Sequence, residues 1–272
     1  MSMPISALLD GAAFEIIPMK GAIDKGGLLP AGATVTVTAS PAKGMEATID
    51  LALALAEGGY RTVPHLSARM IKDRTQLAGI IKRLTEGGIE RAFVIGGDAQ
   101  EPGDFLDALS LIRELSDLGH PFRELGIAGY PEGHPTIPPD KLRTALIEKQ
   151  TYATYVATQM CFRAKTITEW VRSIRTDGVV LPVRVGIPGV VDPTKLLTIA
   201  ARIGVGASMR FVAKNRRAVF RLLRPGVYQP DRLIRSLSSL GEGLGLLGLH
   251  VFTFNQVGPT VDWYQRAQRA AR

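Results

Sequence analysis

The chain has 272 residues, 46% of them hydrophobic, and a formal net charge of +8. That length and apolar content suit one closed α/β barrel. A single cysteine, Cys161, excludes an internal disulfide and a multi-cysteine zinc site, and no apolar run approaches the roughly 20 residues that a bilayer span requires.

The opening segment MSMPISALLD lacks the basic-then-apolar order of a secretory leader, so a soluble, cytoplasmic protein without a membrane partner is expected. Strands are expected in chain order at Phe14–Pro18, Thr34–Ser40, Thr62–Ser67, Ala92–Gly96, Leu125–Tyr130, Tyr155–Met160, Pro182–Ile187 and Leu249–Asn255. Between them fall helical segments such as Met45–Glu57, Thr75–Glu86, Asp104–Leu118 and Pro139–Lys149. Leu106, Leu109, Ile112 and Leu115 recur at spacings of three, the stripe of a helix packed on a sheet. The long interval from Val191 to Gly248 is expected to hold extra helices before the last strand.

Strands alternating with helices imply parallel pairing, because a parallel crossover needs a connection of this length. Eight such units predict a single (β/α)8 domain over residues 1–272, with an open doubly wound sheet as the rival. In a barrel the carboxyl ends of the strands converge on one rim, and polar residues fall there repeatedly. They are Glu15, Thr38 and Ser40, His65 and Ser67, Asp98, Tyr130, Glu132 and His134, Gln159, and Thr253 and Asn255.

Glu15 stands in an otherwise apolar strand, where an unpaired carboxylate is costly. Two readings follow: a structural carboxyl paired across the barrel, or a general acid held protonated by its surroundings. Asp98 follows Gly96 and Gly97, which suits either a turn or close approach of a ligand to the backbone. His65 and His134 lack the close third ligand of a zinc site, so no metal is expected. Gly243-Leu244-Gly245-Leu246-Leu247-Gly248 has the spacing of a dinucleotide fingerprint, but its strand follows the glycines instead of preceding them. The basic run Lys214, Arg216, Arg217, Arg221 and Arg224 comes without a zinc-finger or RNA-binding signature, so no nucleic-acid partner is expected.

Taken together, FEIIP at 14–18, TVTAS at 36–40, PHL at 64–66, GGD at 96–98, YPEGHP at 130–135, ATQM at 157–160, GIP at 186–188 and HVFTFN at 250–255 resemble the methylenetetrahydrofolate reductase family. The resemblance implies a (β/α)8 barrel that reduces 5,10-methylenetetrahydrofolate to 5-methyltetrahydrofolate with NADH or NADPH. It implies that Glu15 is the acid for opening the imidazolidine ring. Asp98 would contact the pterin and steady the developing cation, Gln159 would hydrogen-bond the pterin edge, and Phe211 would stack on folate or nicotinamide. Thr38, His65, Tyr130, His134 and Lys149 would be the cofactor-binding positions, and the basic run beyond Phe211 would receive the folate tail.

The chain departs from the family at its flavin positions. Gly96 stands where most members place an arginine, and Ala145 and Glu148 occupy a helix that normally helps hold FAD. Losing cationic partners while adding a carboxylate disfavours a diphosphate. Direct hydride transfer from the nicotinamide to the folate is therefore expected, with two alternatives: a conventional FAD enzyme and a non-catalytic folate-binding barrel. The chain ends soon after its eighth strand, so no further regulatory domain is expected.

Overall fold

A computed structural model describes residues 3–190 and 230–272. The strands are β1 (Ala13–Ile16), β2 (Thr34–Val37), β3 (Arg61–Ser67), β4 (Arg91–Ile95), β5 (Glu124–Gly129), β6 (Tyr155–Thr158), β7 (Val183–Pro188) and β8 (Leu246–Phe252). Each pairs in parallel with the next, and β8 pairs with β1, so the sheet closes into an eight-stranded barrel. That last pairing removes the doubly wound alternative, which requires two free edges.

Alternation along each strand divides the sheet into two faces. Phe14, Ile16, Val35, Val37, Leu66, Val94, Ile127, Val185, Leu249 and Val251 are buried in the layer shared with the helices. Val63, Phe93, Tyr155 and Ala157 form a smaller apolar cluster within the barrel. Beneath it the floor is charged. Arg91 pairs with Glu124 at 2.9 Å, the Arg184 guanidinium lies 5.4 Å from the Tyr155 ring centre, and Arg184 donates to the Gly11 carbonyl. Arg184, half-buried, has its pKa lowered chiefly by desolvation.

The outer helices are α1 (Ile5–Asp10), α2 (Ala22–Gly26), α3 (Gly44–Glu57), α4 (Arg74–Glu86), α5 (Ala108–Asp117), α6 (Pro139–Lys149), α7 (Ala164–Thr176), α8 (Asp231–Leu240) and α9 (Val257–Ala271). Asp73 starts α4 by accepting from the Gln76 amide, and Asp107 and Ser110 form a reciprocal capping box that starts α5. That cap places the start of α5 later than Asp104 and turns a different stripe inward: Ala108, Leu111, Ile112 and Leu115 are buried, whereas Leu106 is 63% exposed. The expected spacing of three fails because Leu106 precedes the helix. Among the described residues no helix is long and apolar enough to cross a membrane.

The eighth strand also differs from expectation, beginning and ending three residues earlier. Its first half absorbs Leu246, Leu247 and Gly248, the end of the glycine-rich stretch. Val183 pairs with Leu246 while Arg184 pairs with Gly248, so Leu247 is an extra, bulged residue. Gly248 there approaches the other end of the chain: a Cβ on it would sit 2.5 Å from the Gly11 carbonyl oxygen. The strand stops at Phe252 because Phe254 and Asn255 turn to φ 50° and 57°, outside the extended region.

Candidate active site

Glu15 lies on β1 and is 8% exposed, with Thr36 of β2 and Phe252 of β8 as its register neighbours. Its Oε2 is 3.1 Å from Nε2 of His250, itself buried on β8. Two lone-pair atoms do not sit at that distance without a hydrogen between them, so the contact holds at least one proton.

The backbone around Glu15 is clamped from the end of β8. Thr253 Oγ1 donates to the Glu15 carbonyl at 2.5 Å, and the Asn255 amide accepts from Ile17 N–H at 2.8 Å and donates to Ile17 C=O at 2.9 Å. The left-handed turn at Asn255 brings that amide round. Asn is among the few residues that take this conformation readily.

His65, on β3, completes the group. Its ring centre lies 4.8 Å from Phe93 and 6.1 Å from His250. Burial, helped by the neighbouring His250, pushes its pKa down to about 3, so it is a neutral imidazole at physiological pH. Its Nε2 is buried with no hydrogen-bond partner among the described residues, as are Thr36 Oγ1 and Ser67 Oγ. Ligand atoms of Glu15, His65 and His250 all lie within 4.8 Å of one another. Donors at about 2.0–2.1 Å from a tetrahedral zinc would be roughly 3.4 Å apart. The Glu15–His250 contact is already a complete carboxyl–imidazole hydrogen bond without an ion.

A second group sits beyond β4 and β5. Asp98 is exposed just past Gly96 and Gly97, and its charge acts on half-buried Tyr130. Burial first, then Asp98, pushes the Tyr130 phenol up to about 12. The Tyr130 ring meets His134 edge-on at 5.2 Å. His134 Nδ1 is turned back into its own loop, accepting from the amides of Thr136 and Ile137 at 3.3 and 3.2 Å. Gly97 takes φ 84°, and a Cβ on it would lie 1.9 Å from Ser67 Oγ, so the ends of β3 and β4 meet only because this residue has no side chain. Gly96 is different: a Cβ there would find only the Ala108 amide nitrogen, at 3.9 Å.

The remaining expected residues are more dispersed. Thr38 stands beside the end of β1, its N–H donating to Ile16 C=O at 3.0 Å. Gln159 follows β6, half-buried, its N–H donating to Gly129 C=O at 2.7 Å. Lys149 ends α6, where burial lowers its pKa against the opposing pull of Asp107 at the start of α5. Phe211 and the basic run Lys214–Arg224 lie outside the described residues. Cys161 is buried, and that burial pushes its thiol up to about 12, away from the reactive thiolate form.

His250 is the residue that a reading by strand ends passes over, because it lies below the rim within β8. Two-residue alternation through His250 and Phe252 is the signal that places it beside Glu15.

Solved structures similar in shape include a class V chitinase mutant from Cycas revoluta, with TM-score 0.50, 11% identity and coverage of 95% of this chain and 98% of the other. Another is tryptophan synthase from M. tuberculosis, with TM-score 0.50, 11% identity and coverage of 100% and 96%. At that identity they speak only to the barrel fold. Sequence relatives are more telling. Methylenetetrahydrofolate reductase 1 of Schizosaccharomyces pombe is 28% identical over 139 residues, 47% of this chain and 22% of the relative. A probable methylenetetrahydrofolate reductase (NADPH) of Caenorhabditis elegans is 32% identical over 111 residues, 38% of this chain and 16% of the relative. The matched stretches thus span about a fifth of those proteins. The methylenetetrahydrofolate reductase family profile matches residues 21–208, more than half of the chain, and the chain belongs to that family.

Proposed function

We propose that this barrel reduces 5,10-methylenetetrahydrofolate to 5-methyltetrahydrofolate, taking hydride directly from NADH or NADPH bound beside the folate. The observation that carries the reading is the Glu15 carboxyl, buried in the barrel and hydrogen-bonded to His250 at 3.1 Å. A carboxyl so held is suited to protonate the departing nitrogen of the imidazolidine ring. Ring opening leaves an iminium carbon, which accepts hydride to become the methyl group. One proton and one hydride are consumed, and the nicotinamide leaves oxidised.

Asp98, exposed past β4, is placed in this reading to face the pterin and offset the iminium charge. Gln159 beyond β6 supplies an amide for the pterin edge, and Phe211 stacks on the ring system. Thr38, His65, Tyr130 and His134 line the positions that would receive the nicotinamide.

Absence of a resident flavin is part of the proposal. FAD would bring an isoalloxazine that relays hydride in two half-reactions, and its diphosphate requires cationic or amide donors. The residues present fit that group poorly. Gly96 contributes no side chain although its Cβ direction is open. Lys149 is buried and coupled to Asp107, while His134 Nδ1 serves its own loop. Localisation in the cytoplasm accords with a soluble folate and nicotinamide pool.

Purified protein tests the whole reading. Oxidation of NADH or NADPH that depends on methylenetetrahydrofolate, by a colourless preparation, is expected. A yellow protein with bound flavin would sink the direct-transfer version. No oxidation even with FAD added would leave a folate-binding barrel as the better reading.

A further inference from the structure

We propose that His250 is the positioning residue of Glu15, fixing the carboxyl toward the barrel mouth and holding the proton that reloads it after each turnover. This rests on Glu15 being the acid of the reaction above.

Both partners are nearly sealed, Glu15 at 8% and His250 at 3% exposure, so the Glu15 Oε2 meets the imidazole and not bulk water. The titratable groups facing His250 among the described residues are Glu15 at 3.1 Å and His65, whose ring centre is 6.1 Å away. Its register neighbours, Ala13 on β1 and Gly186 on β7, bring no titratable side chain, and Phe93 and Phe252 supply apolar walls at 6.3 and 4.8 Å. His65 is held neutral and does not compete for the proton. The imidazole therefore has one exchange partner in its pocket, the acid itself. When Glu15 gives its proton to the departing nitrogen, an imidazolium at His250 passes its Nε2 proton across the hydrogen bond to the Glu15 oxygen and is left as a neutral imidazole. A solvent proton restores the imidazolium once the products have left the barrel mouth, so one proton is taken up for the one consumed in ring opening.

Two variants separate positioning from proton holding. His250→Gln keeps a polar group within reach of Glu15 but cannot exchange a proton, whereas His250→Leu removes both functions. With wild-type kinetics as reference, His250→Leu is expected to lower kcat by about 100-fold or more with KM for the folate within a few-fold. His250→Gln is expected to recover part of kcat and to lose the pH dependence of kcat that the wild type shows. A His250→Gln profile that superposes on the wild type overturns the proposal.

A readout independent of turnover is the nitrogen-15 side-chain spectrum of the wild-type histidines, compared with Glu15→Gln. The His250 titration is expected to move when Glu15 is neutralised, and an unmoved titration overturns the pairing even if His250→Leu does not fold. If wild-type protein shows no folate reduction, the functional reading fails, and the spectra still judge the pair.

Discussion

Asn255 holds both backbone groups of Ile17, accepting from its N–H at 2.8 Å and donating to its C=O at 2.9 Å. The β1–β8 seam is thereby continued by a side chain after the β8 ladder has ended at Phe252. Glu15 sits two residues before that clamp, and Thr253 grips its own carbonyl. Glu15 is thus fixed through its backbone by β8 and through its carboxyl by His250.

That arrangement predicts a graded response at position 255. Asn255→Ala leaves two buried backbone groups unpaired and forces Ala into the left-handed region, for a loss of about 2–4 kcal/mol. Asn255→Gly removes the same hydrogen bonds without the conformational cost and should recover about 1 kcal/mol of it. Denaturant unfolding of the two variants measures both quantities. Equal stability of Ala and wild type would contradict the clamp.

Glu15→Gln keeps the size and polarity of the side chain but removes its acidity. Turnover is expected to fall by at least about 100-fold, with folate affinity within a few-fold of wild type. Single-turnover kinetics and equilibrium folate titration check the two halves separately. Unchanged turnover would dismiss Glu15 as the acid.

Acid sensitivity should trace in part to His65. Its folded pKa of about 3 lies below the ordinary value of 6.5, so below 6.5 the unfolded chain takes up a proton that the folded chain refuses. Stability from this group is complete above 6.5 and is lost as pH falls toward about 3. At about pH 4.5 the loss amounts to about 3 kcal/mol. His65→Gln should therefore flatten the pH dependence of unfolding free energy over that window. A slope unchanged from wild type would show that the ring is not held neutral.

Gly96→Arg tests the flavin departure directly. Its Cβ direction is open, with only the Ala108 amide nitrogen at 3.9 Å, so the variant should fold with unchanged melting temperature. It is expected to bind FAD more tightly than wild type, read as flavin fluorescence quenching. Equal or weaker binding would count against Gly96 as a ground for the proposed lack of flavin.

Much of the barrel is legible because burial imposes period two on strands and longer apolar spacing on helices. Asp98, Tyr130 and Gln159 fall just past the strand ends on that basis, whereas Glu15 and His65 lie within β1 and β3. The errors occur where local geometry overrides periodicity. The capping box of Asp107 and Ser110 moves the start of α5 and exposes Leu106. Positive φ at Phe254 and Asn255 ends β8 early. His250 was hidden for a different reason: it stands two residues before the end of β8, whereas the rim was read from Thr253 and Asn255 beyond it.

That bulge has a consequence for how the chain tolerates insertions and deletions. Leu246 belongs to the helix-side core, and Leu247 is absorbed out of phase, so Gly248, His250 and Phe252 turn inward. In an unbulged ladder the same sequence would present leucines 247 and 249 to the lumen and send the imidazole out among the helices. Removing Leu247 should leave His250 beside Glu15, whereas removing Leu249 should evict it, although both edits delete a leucine from one strand. The residue that meets Glu15 is therefore specified by residue count, much as a codon is specified by its reading frame.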